Sequence, residues 1–262
     1  MNSRLYFVVV LYNGYIEKMV SLDTFLKFCE NSDCRLIVMD NSSEEYTEKN
    51  ERYAENNSHI TYVNNHGNIG LSRSYNKAIS LIDDEDYWVM ICDDDTQFSK
   101  EYIKNVIEYV NKENSCDVVT GIVRSNGTPK SPVTANGIFK KRSDTVDKPG
   151  TYKCVYPINS GLVIHGKVFS EEIRFNEELF VDMIDYCFME DLMKNGYDTV
   201  EVLDGDINQS FSFAEKTDKA AVIRRFNIFK KDFRNYCRIQ NKGILYKRAI
   251  LGKRQLRIWL MR

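Results

Sequence analysis

The sequence predicts an α/β protein built on a mostly parallel mixed sheet flanked by helices, and three observations predict it. Runs of β-branched and aromatic residues alternate with stretches of helical apolar spacing. The early runs stop at polar, turn-forming residues: Asp40-Asn41-Ser42, Asn64-Asn65 and Asp93-Asp94-Asp95. The chain has 262 residues, 43% of them hydrophobic and 28% charged, which suits one large domain or one domain with an appendage. Strands alternating with helices imply βαβ units, and ligands of such sheets bind beyond the carboxyl ends of the strands.

Each element follows in order. Tyr6–Tyr12, Arg35–Met39, Ile60–Val63, Tyr87–Cys92 and Val118–Val123 read as strands. Ile16–Cys29 reads as a helix. So does Leu71–Ile82, where Leu71, Tyr75, Ala78, Ile79 and Ile82 repeat at helical spacing. Lys100–Lys112 is a third, capped by Ser99. Residues 124–150, with Gly, Pro, Ser, Asn and Lys, read as a long loop of the kind usually kept for function. Val155–Ile164 reads as two short strands around Pro157-Ile-Asn-Ser-Gly161. Phe180–Asn195 reads as a helix ended by Gly196, and Thr199–Leu203 as another strand.

Composition excludes several classes. Thirteen Gly and four Pro rule out a collagenous or low-complexity chain. The longest apolar run, Leu5–Tyr12, is far short of the ~20 residues that span a bilayer. No secretory leader is read at the start, and seven scattered cysteines without a Cys-x-x-Cys pair suit reduced, buried thiols of a cytosolic protein. The net charge of −2 hides an asymmetry. Residues 216–262 hold 15 basic and two acidic side chains, while the first 215 hold 21 basic and 36 acidic ones. A boundary near residue 215 follows.

Asp93-Asp94-Asp95 is the sharpest feature. Three adjacent carboxylates repel one another, and a divalent cation sharing phosphate oxygens neutralises them well. Further segments stand in a telling order along the chain: Val8-Val-Val-Leu-Tyr-Asn13, Val38-Met-Asp-Asn-Ser42, Asn65-His-Gly-Asn-Ile-Gly-Leu-Ser-Arg-Ser-Tyr-Asn76, Cys92-Asp-Asp-Asp-Thr96, Pro157-Ile-Asn-Ser-Gly161 and Phe175-Asn-Glu-Glu-Leu-Phe-Val-Asp-Met-Ile-Asp185. In these motifs, from Phe7 to about Asn235, the chain resembles a family 2 glycosyltransferase of the GT-A fold. It is most like the bacterial rhamnosyltransferase and galactofuranosyltransferase branches.

The resemblance implies a Rossmann-like GT-A domain over 1–215, with a nucleotide-sugar half at 1–123 and an acceptor half at 124–215, followed by a basic helical extension at 216–262. It implies an inverting, metal-dependent transfer from a UDP- or dTDP-sugar to a saccharide acceptor, a lipid-linked one, in bacterial surface polysaccharide synthesis. Tyr12, Asn13, Asp40, Asn65, Gly67, Arg73, Asn76, Asp93 and Asp94 would hold the donor, Asp40 at the pyrimidine. Asp95, with Asp93, would bind Mg²⁺ or Mn²⁺. Asn159, Ser160, Gly161 and Asp182 would face the acceptor. Asp185 matches the family's catalytic base, with Asp182 as the alternative, three residues away on the same helix face. Ile184 is an apolar neighbour suited to raising the Asp185 pKa.

Two departures stand out. Asp191 occupies a position where the family usually has Arg, and Asn208-Gln209-Ser210 stands where it often has a metal-binding His. Gln209 offers an amide oxygen there, a weaker ligand. These departures keep a second reading open, a non-catalytic sugar-nucleotide-binding subunit. A nucleotidyltransferase is a third, disfavoured because Tyr12-Asn13-Gly14-Tyr15 is not a Gly-rich basic loop. The C-terminal stretch mixes apolar and basic residues, as an amphipathic helix on an anionic membrane or a partner subunit does. Nucleic acid is not expected, because the rest of the chain is acidic. The expected location is the cytoplasm, peripheral on the inner face of the cell membrane.

Overall fold

The computed structural model describes residues 4–112, 115–134, 145–209 and 219–260. The first half runs β1 (Arg4–Leu11), a 3₁₀ turn (Ile16–Lys18), α1 (Leu22–Asn31), β2 (Cys34–Asp40), α2 (Glu44–Glu55), β3 (Ile60–Asn64), α3 (Leu71–Ile79), β4 (Tyr87–Cys92), β5 (Gln97–Phe98) and α4 (Lys100–Val110). The second runs β6 (Val118–Ser125), β7 (Thr128–Ser131), β8 (Gly150–Lys153), β9 (Leu162–His165), α5 (Gly166–Ser170), α6 (Ile184–Lys194), β10 (Thr199–Asn208), α7 (Lys219–Ile239) and α8 (Ile244–Leu260).

One sheet carries the strands in the order β3-β2-β1-β4-β9-β6-β10-β5, with β7 beside β6 and β8 beside β10. The β3-β2-β1-β4 half is wholly parallel. β9 is antiparallel to both β4 and β6, so β6 and its parallel neighbour β10 share the direction of the first half. Alternation along β1 sends Val8 and Val10 to one face and Leu5, Phe7, Val9 and Leu11 to the other. Burying each such side chain contributes about 1.5–3 kcal/mol, and a one-residue slip would exchange the two sets. Against the Val8 face pack Tyr75 and Ala78 of α3, Phe188 of α6, and Phe229, Phe233 and Tyr236 of α7. Against the other face pack Phe25 of α1 and Tyr102 and Val106 of α4. Helix α7 thus shares the main core. The boundary expected near residue 215 lies outside the described residues.

Several elements differ from expectation, each for a local reason. The helix expected over 16–29 is split, because Val20 donates its N–H to the Asp94 carbonyl and the Ser21 hydroxyl donates to the Thr96 carbonyl. Helix α2 was not expected: its buried residues are Thr47, Asn50 and Ala54, so no apolar stripe marks it. The long loop expected over 124–150 contains the β6–β7 hairpin, turned by Asn126 and Gly127 at positive φ, while its residues 135–144 lie outside the described ones. Of the two strands expected over 155–164, only β9 is a full strand; Tyr156 makes an isolated bridge to Val133. The Ser99 cap is present, its hydroxyl accepting the Tyr102 N–H at 3.1 Å. Six cysteines are buried and Cys154 is exposed.

Strand β10 is longer than its sequence pattern, and Gly205 is why. Its register shifts between Val202 and Asp206, and Gly205 adopts φ +110 there. A Cβ at Gly205 would lie 2.6 Å from the Tyr102 backbone. Gly205→Ala should therefore cost about 2 kcal/mol or more, read as a lower urea midpoint at unchanged slope.

Candidate functional site

The edge where β4 ends gathers side chains from three strands. Asp93 follows β4, Ser160 precedes β9, and Gln209 follows β10. Because β9 runs antiparallel, its first residue Leu162 pairs with Ile91 near the end of β4. The Ser160 hydroxyl donates to Asp93 Oδ2, and Gln209 Nε2 donates to the same oxygen at 2.8 Å. The Gln209 amide oxygen faces the Ser160 hydroxyl at 3.0 Å. The oxygen offered as a metal ligand is thus turned into this network.

The three carboxyls carry uncompensated charge. Asp93 and Asp94 are half-buried, Asp95 is exposed, and none of them is ion-paired among the described residues. Burial pushes the Asp94 carboxyl up to about 6, and repulsion from Asp95 and then Asp93 adds to it. Burial also raises Asp93 and Asp95, while bonds from Ser160 and Gln209 oppose the rise at Asp93. Among the described residues no three His, Cys, Asp or Glu side chains form a cage for an ion. The residues fit a divalent cation only as one or two carboxylates whose remaining ligands come from elsewhere, such as phosphate oxygens.

The residues expected to hold the donor are tied into the turns beyond β1 and β2. Asp40 is fully buried. Its Oδ1 accepts the Ser42 N–H at 2.9 Å, and its Oδ2 accepts from Asn50 Nδ2 and the Tyr62 hydroxyl, both at 2.8 Å. Three of its acceptor directions are therefore occupied. Asn13, at φ +52, donates its N–H to Ser42 Oγ at 2.8 Å and accepts the Ser43 N–H at 3.1 Å. Asn65 donates to Asn41 Oδ1 and accepts from Lys77, both at 2.9 Å. Tyr12 is 60% exposed at the edge, and Gly67, at φ +124, faces open space. Arg73 pairs with Glu177 at 3.8 Å, and Asn76 brackets the Phe175 backbone with bonds of 2.9 and 3.0 Å. Both are engaged by segment 175–177. Arg73 also lines a surface cleft of about 620 Å³ that contains none of Asp93, Asp94, Asp95 or Asp185.

Among the residues expected to face the acceptor, α6 starts at Ile184, later than the expected helix. Phe180, Val181 and Asp182 donate their N–H groups to the buried carboxylate of Asp232 on α7, at 3.1, 2.8 and 2.9 Å. Met183 then turns through φ 64. Asp182 therefore lies outside the helix and does not share a helical face with Asp185. It is paired with both terminal nitrogens of Arg225, Nη2 donating to Oδ1 at 2.9 Å. Asp185 sits in the first turn of α6, where the Tyr186 N–H donates to its Oδ1 at 2.8 Å. Gly161, at φ +85, gives its carbonyl to the Tyr102 hydroxyl at 2.7 Å. Asn159 holds a buried side-chain oxygen with no hydrogen-bond partner among the described residues.

Tyr75 was missed by sequence reasoning as a site residue. It is buried on α3, and its phenol pKa is raised by burial and then by the charges of Asp93, Cys92 and Asp185. Its helical spacing marked it only as core. Asp232 and Arg225 were missed because their partners lie 50–52 and 43 positions away.

The raised Asp94 pKa has a stability consequence with a definite sign. The folded carboxyl holds its proton up to about pH 6 against 3.8 for the free group, so stability falls as pH rises through that window. In the presence of a chelator, Asp94→Asn should raise Tm at pH 7 by about 3 °C, roughly 1 kcal/mol in a chain of this length. The difference should close below about pH 4, which a pair of melting series checks.

Comparison with known proteins speaks to the family and the fold. The profile of Glycosyl transferase family 2 matches residues 6–172. A dTDP-rhamnosyl transferase of Shigella flexneri, RfbF, is 27% identical over 95% of this chain and 81% of its own length. Among solved structures, Staphylococcus aureus TarS 1–349 superposes with a TM-score of 0.59 at 17% identity, over 94% of this chain and 68% of that one. A mannosyltransferase of Pyrobaculum calidifontis, PcManGT, in complex with GDP-Man and Mn²⁺, gives 0.60 at 13% identity, over 99% and 71%. These likenesses carry the GT-A fold. With the family match covering most of the chain, the protein belongs to glycosyl transferase family 2.

Proposed function

We propose that the protein transfers a sugar, with inversion, from a nucleoside diphosphate donor to a saccharide acceptor that is lipid-linked in bacterial surface polysaccharide synthesis. The observation that carries this reading is the acidic run Asp93–Asp95 at the end of β4, on one sheet edge with the Ser160 and Gln209 side chains that bond Asp93. The likeness to RfbF supports a dTDP-sugar, rhamnose first among the candidates. The turns at Asn13, Asp40 and Asn65 would hold the nucleoside. Direct contact of a base with Asp40 requires its remaining acceptor direction or the exchange of one present bond.

Asp185 would take the proton of the acceptor hydroxyl. That oxygen would form its bond to the anomeric carbon as the bond to the diphosphate oxygen breaks on the opposite side. Asp182, neutralised by Arg225, is poorly placed to compete as base. A divalent cation, Mg²⁺ or Mn²⁺, at Asp95 and the donor phosphates would offset charge on the departing diphosphate. In this reading 1–123 serves the donor, 124–215 the acceptor, and 216–262 completes the acceptor side through Asp232 and Arg225.

Two variants test this. Asp95→Ala should abolish the metal dependence of dTDP binding and keep Tm within a few degrees, measured by calorimetry with and without EDTA. Equal wild-type affinity in both conditions removes the metal from the scheme. Asp185→Asn should keep donor affinity and lower kcat roughly 100- to 10,000-fold. Donor binding without turnover in the wild-type protein, across a nucleotide-sugar panel, would instead support a non-catalytic binding subunit.

A further inference from the structure

Helix α8 has two faces, and one of them meets the body of the protein. Tyr246, Ile250 and Leu251 pack on the core cluster that holds Phe229 and Phe233. Arg254 lays its guanidinium over the Phe229 ring at 3.4 Å. Turned away are Leu245, Ala249, Gly252, Leu256, Trp259 and Leu260, all exposed. At 3.6 residues per turn these six fall within an arc of roughly 100°. Leu245 is 78% exposed and Trp259 74%. Arg248 borders this stripe on one side, and Lys253 and Arg257 border it on the other, all three exposed. The helix has five Lys or Arg residues and no acid.

The sequence presents these apolar residues as one mixture. The structure divides them: Ile250 and Leu251 are spent on the core, and the outer stripe is left without a partner among the described residues. No helix among the described residues is long and apolar enough to cross a membrane. A convex apolar stripe between basic rims, ending in a tryptophan, has the chemistry of a helix lying in the plane of a lipid interface. A second copy fits worse. Across a two-fold axis the same basic rims would meet each other, like charge against like.

We propose that the outer face of α8 docks on an anionic lipid surface. Leu245, Leu256, Trp259 and Leu260 enter the headgroup boundary, and Arg248, Lys253 and Arg257 meet the lipid phosphates. The inner face lays Arg254 over Phe229 of α7, the helix whose Arg225 pairs with Asp182, so in the proposed reading docking would set the acceptor side of the site next to the lipid. The docking goes beyond the transfer reaction and does not depend on it.

Flotation of the full chain with phosphatidylcholine vesicles, with and without phosphatidylglycerol, tests this. At low salt the protein should float with the anionic vesicles and remain below with the neutral ones. Binding should be lost near 1 M salt, where screening shortens to about 3 Å. Leu256→Glu with Trp259→Glu should abolish flotation, while Tm and dTDP affinity stay those of the wild type. Lys253→Gln with Arg257→Gln should lower the partition coefficient roughly 30-fold. The proposal is overturned if the wild type does not float at low salt, floats equally with neutral vesicles, or floats undiminished after the glutamate pair. It is equally overturned if sizing shows a dimer that Trp259→Glu breaks and no flotation, which assigns the face to a second copy. Intact dTDP binding in these samples separates a failure of docking from a failure of the donor site.

Discussion

Strand β9 runs against both of its long neighbours, and the polar network around Asp93 follows from that reversal. β4 leaves the sheet toward Asp93 at the edge where β9 begins, and the Gly161 N–H donates to the Ile91 carbonyl at 2.8 Å to lock the two ends together. Ser160 is thereby set over the Asp93 carboxylate. A parallel β9 would carry the residues before it to the other end of a four-residue strand, about 13 Å away. Gln209 then arrives on the same edge because β10 runs with β6, not with β9. The reversal thus turns a set of separate loops into one polar network.

A second constraint binds the two halves of the site through segment 175–182. Asn76 of α3 brackets Phe175, the Leu71 N–H donates to the Phe180 carbonyl at 2.7 Å, and Asp232 of α7 takes the next three N–H groups. Gly70 permits the approach: at φ +89, a Cβ there would meet the Phe180 ring at 2.6 Å. The segment leading to Asp185 is therefore held by α3 at one end and by α7 at the other. Buried charge-assisted bonds of this kind hold geometry more firmly than neutral ones.

Much of this was legible in the sequence, and the exceptions are physical. Strands β1, β2 and β4 were legible because they are buried on both faces and read as unbroken apolar runs. The place of Asp93–Asp95 at the end of β4 was legible because the apolar run and the acids that stop it are adjacent in the sequence. Helix α2 was illegible because it buries Asn50, a hydrogen-bonding residue, where an apolar stripe is expected. The start of α6 was illegible because it is set by Asp232, 50 residues downstream of Asp182. Arg73 and Asn76 carried a motif's promise of donor contact, yet both engage segment 175–177, and spacing along α3 cannot reveal which way they are claimed.

The exposure of Cys154 among six buried cysteines gives the molecule a single chemical handle. Burial pushes the thiols of Cys29, Cys34 and Cys187 up to about 12, so at neutral pH they are neither accessible nor ionised. A maleimide therefore addresses one sulfur in the folded chain, at the end of β8 where the Cys154 N–H bonds the Asp198 carbonyl at 2.7 Å. A fluorophore on that sulfur labels the native protein stoichiometrically, and the appearance of further reactive thiols counts the opening of the core around them.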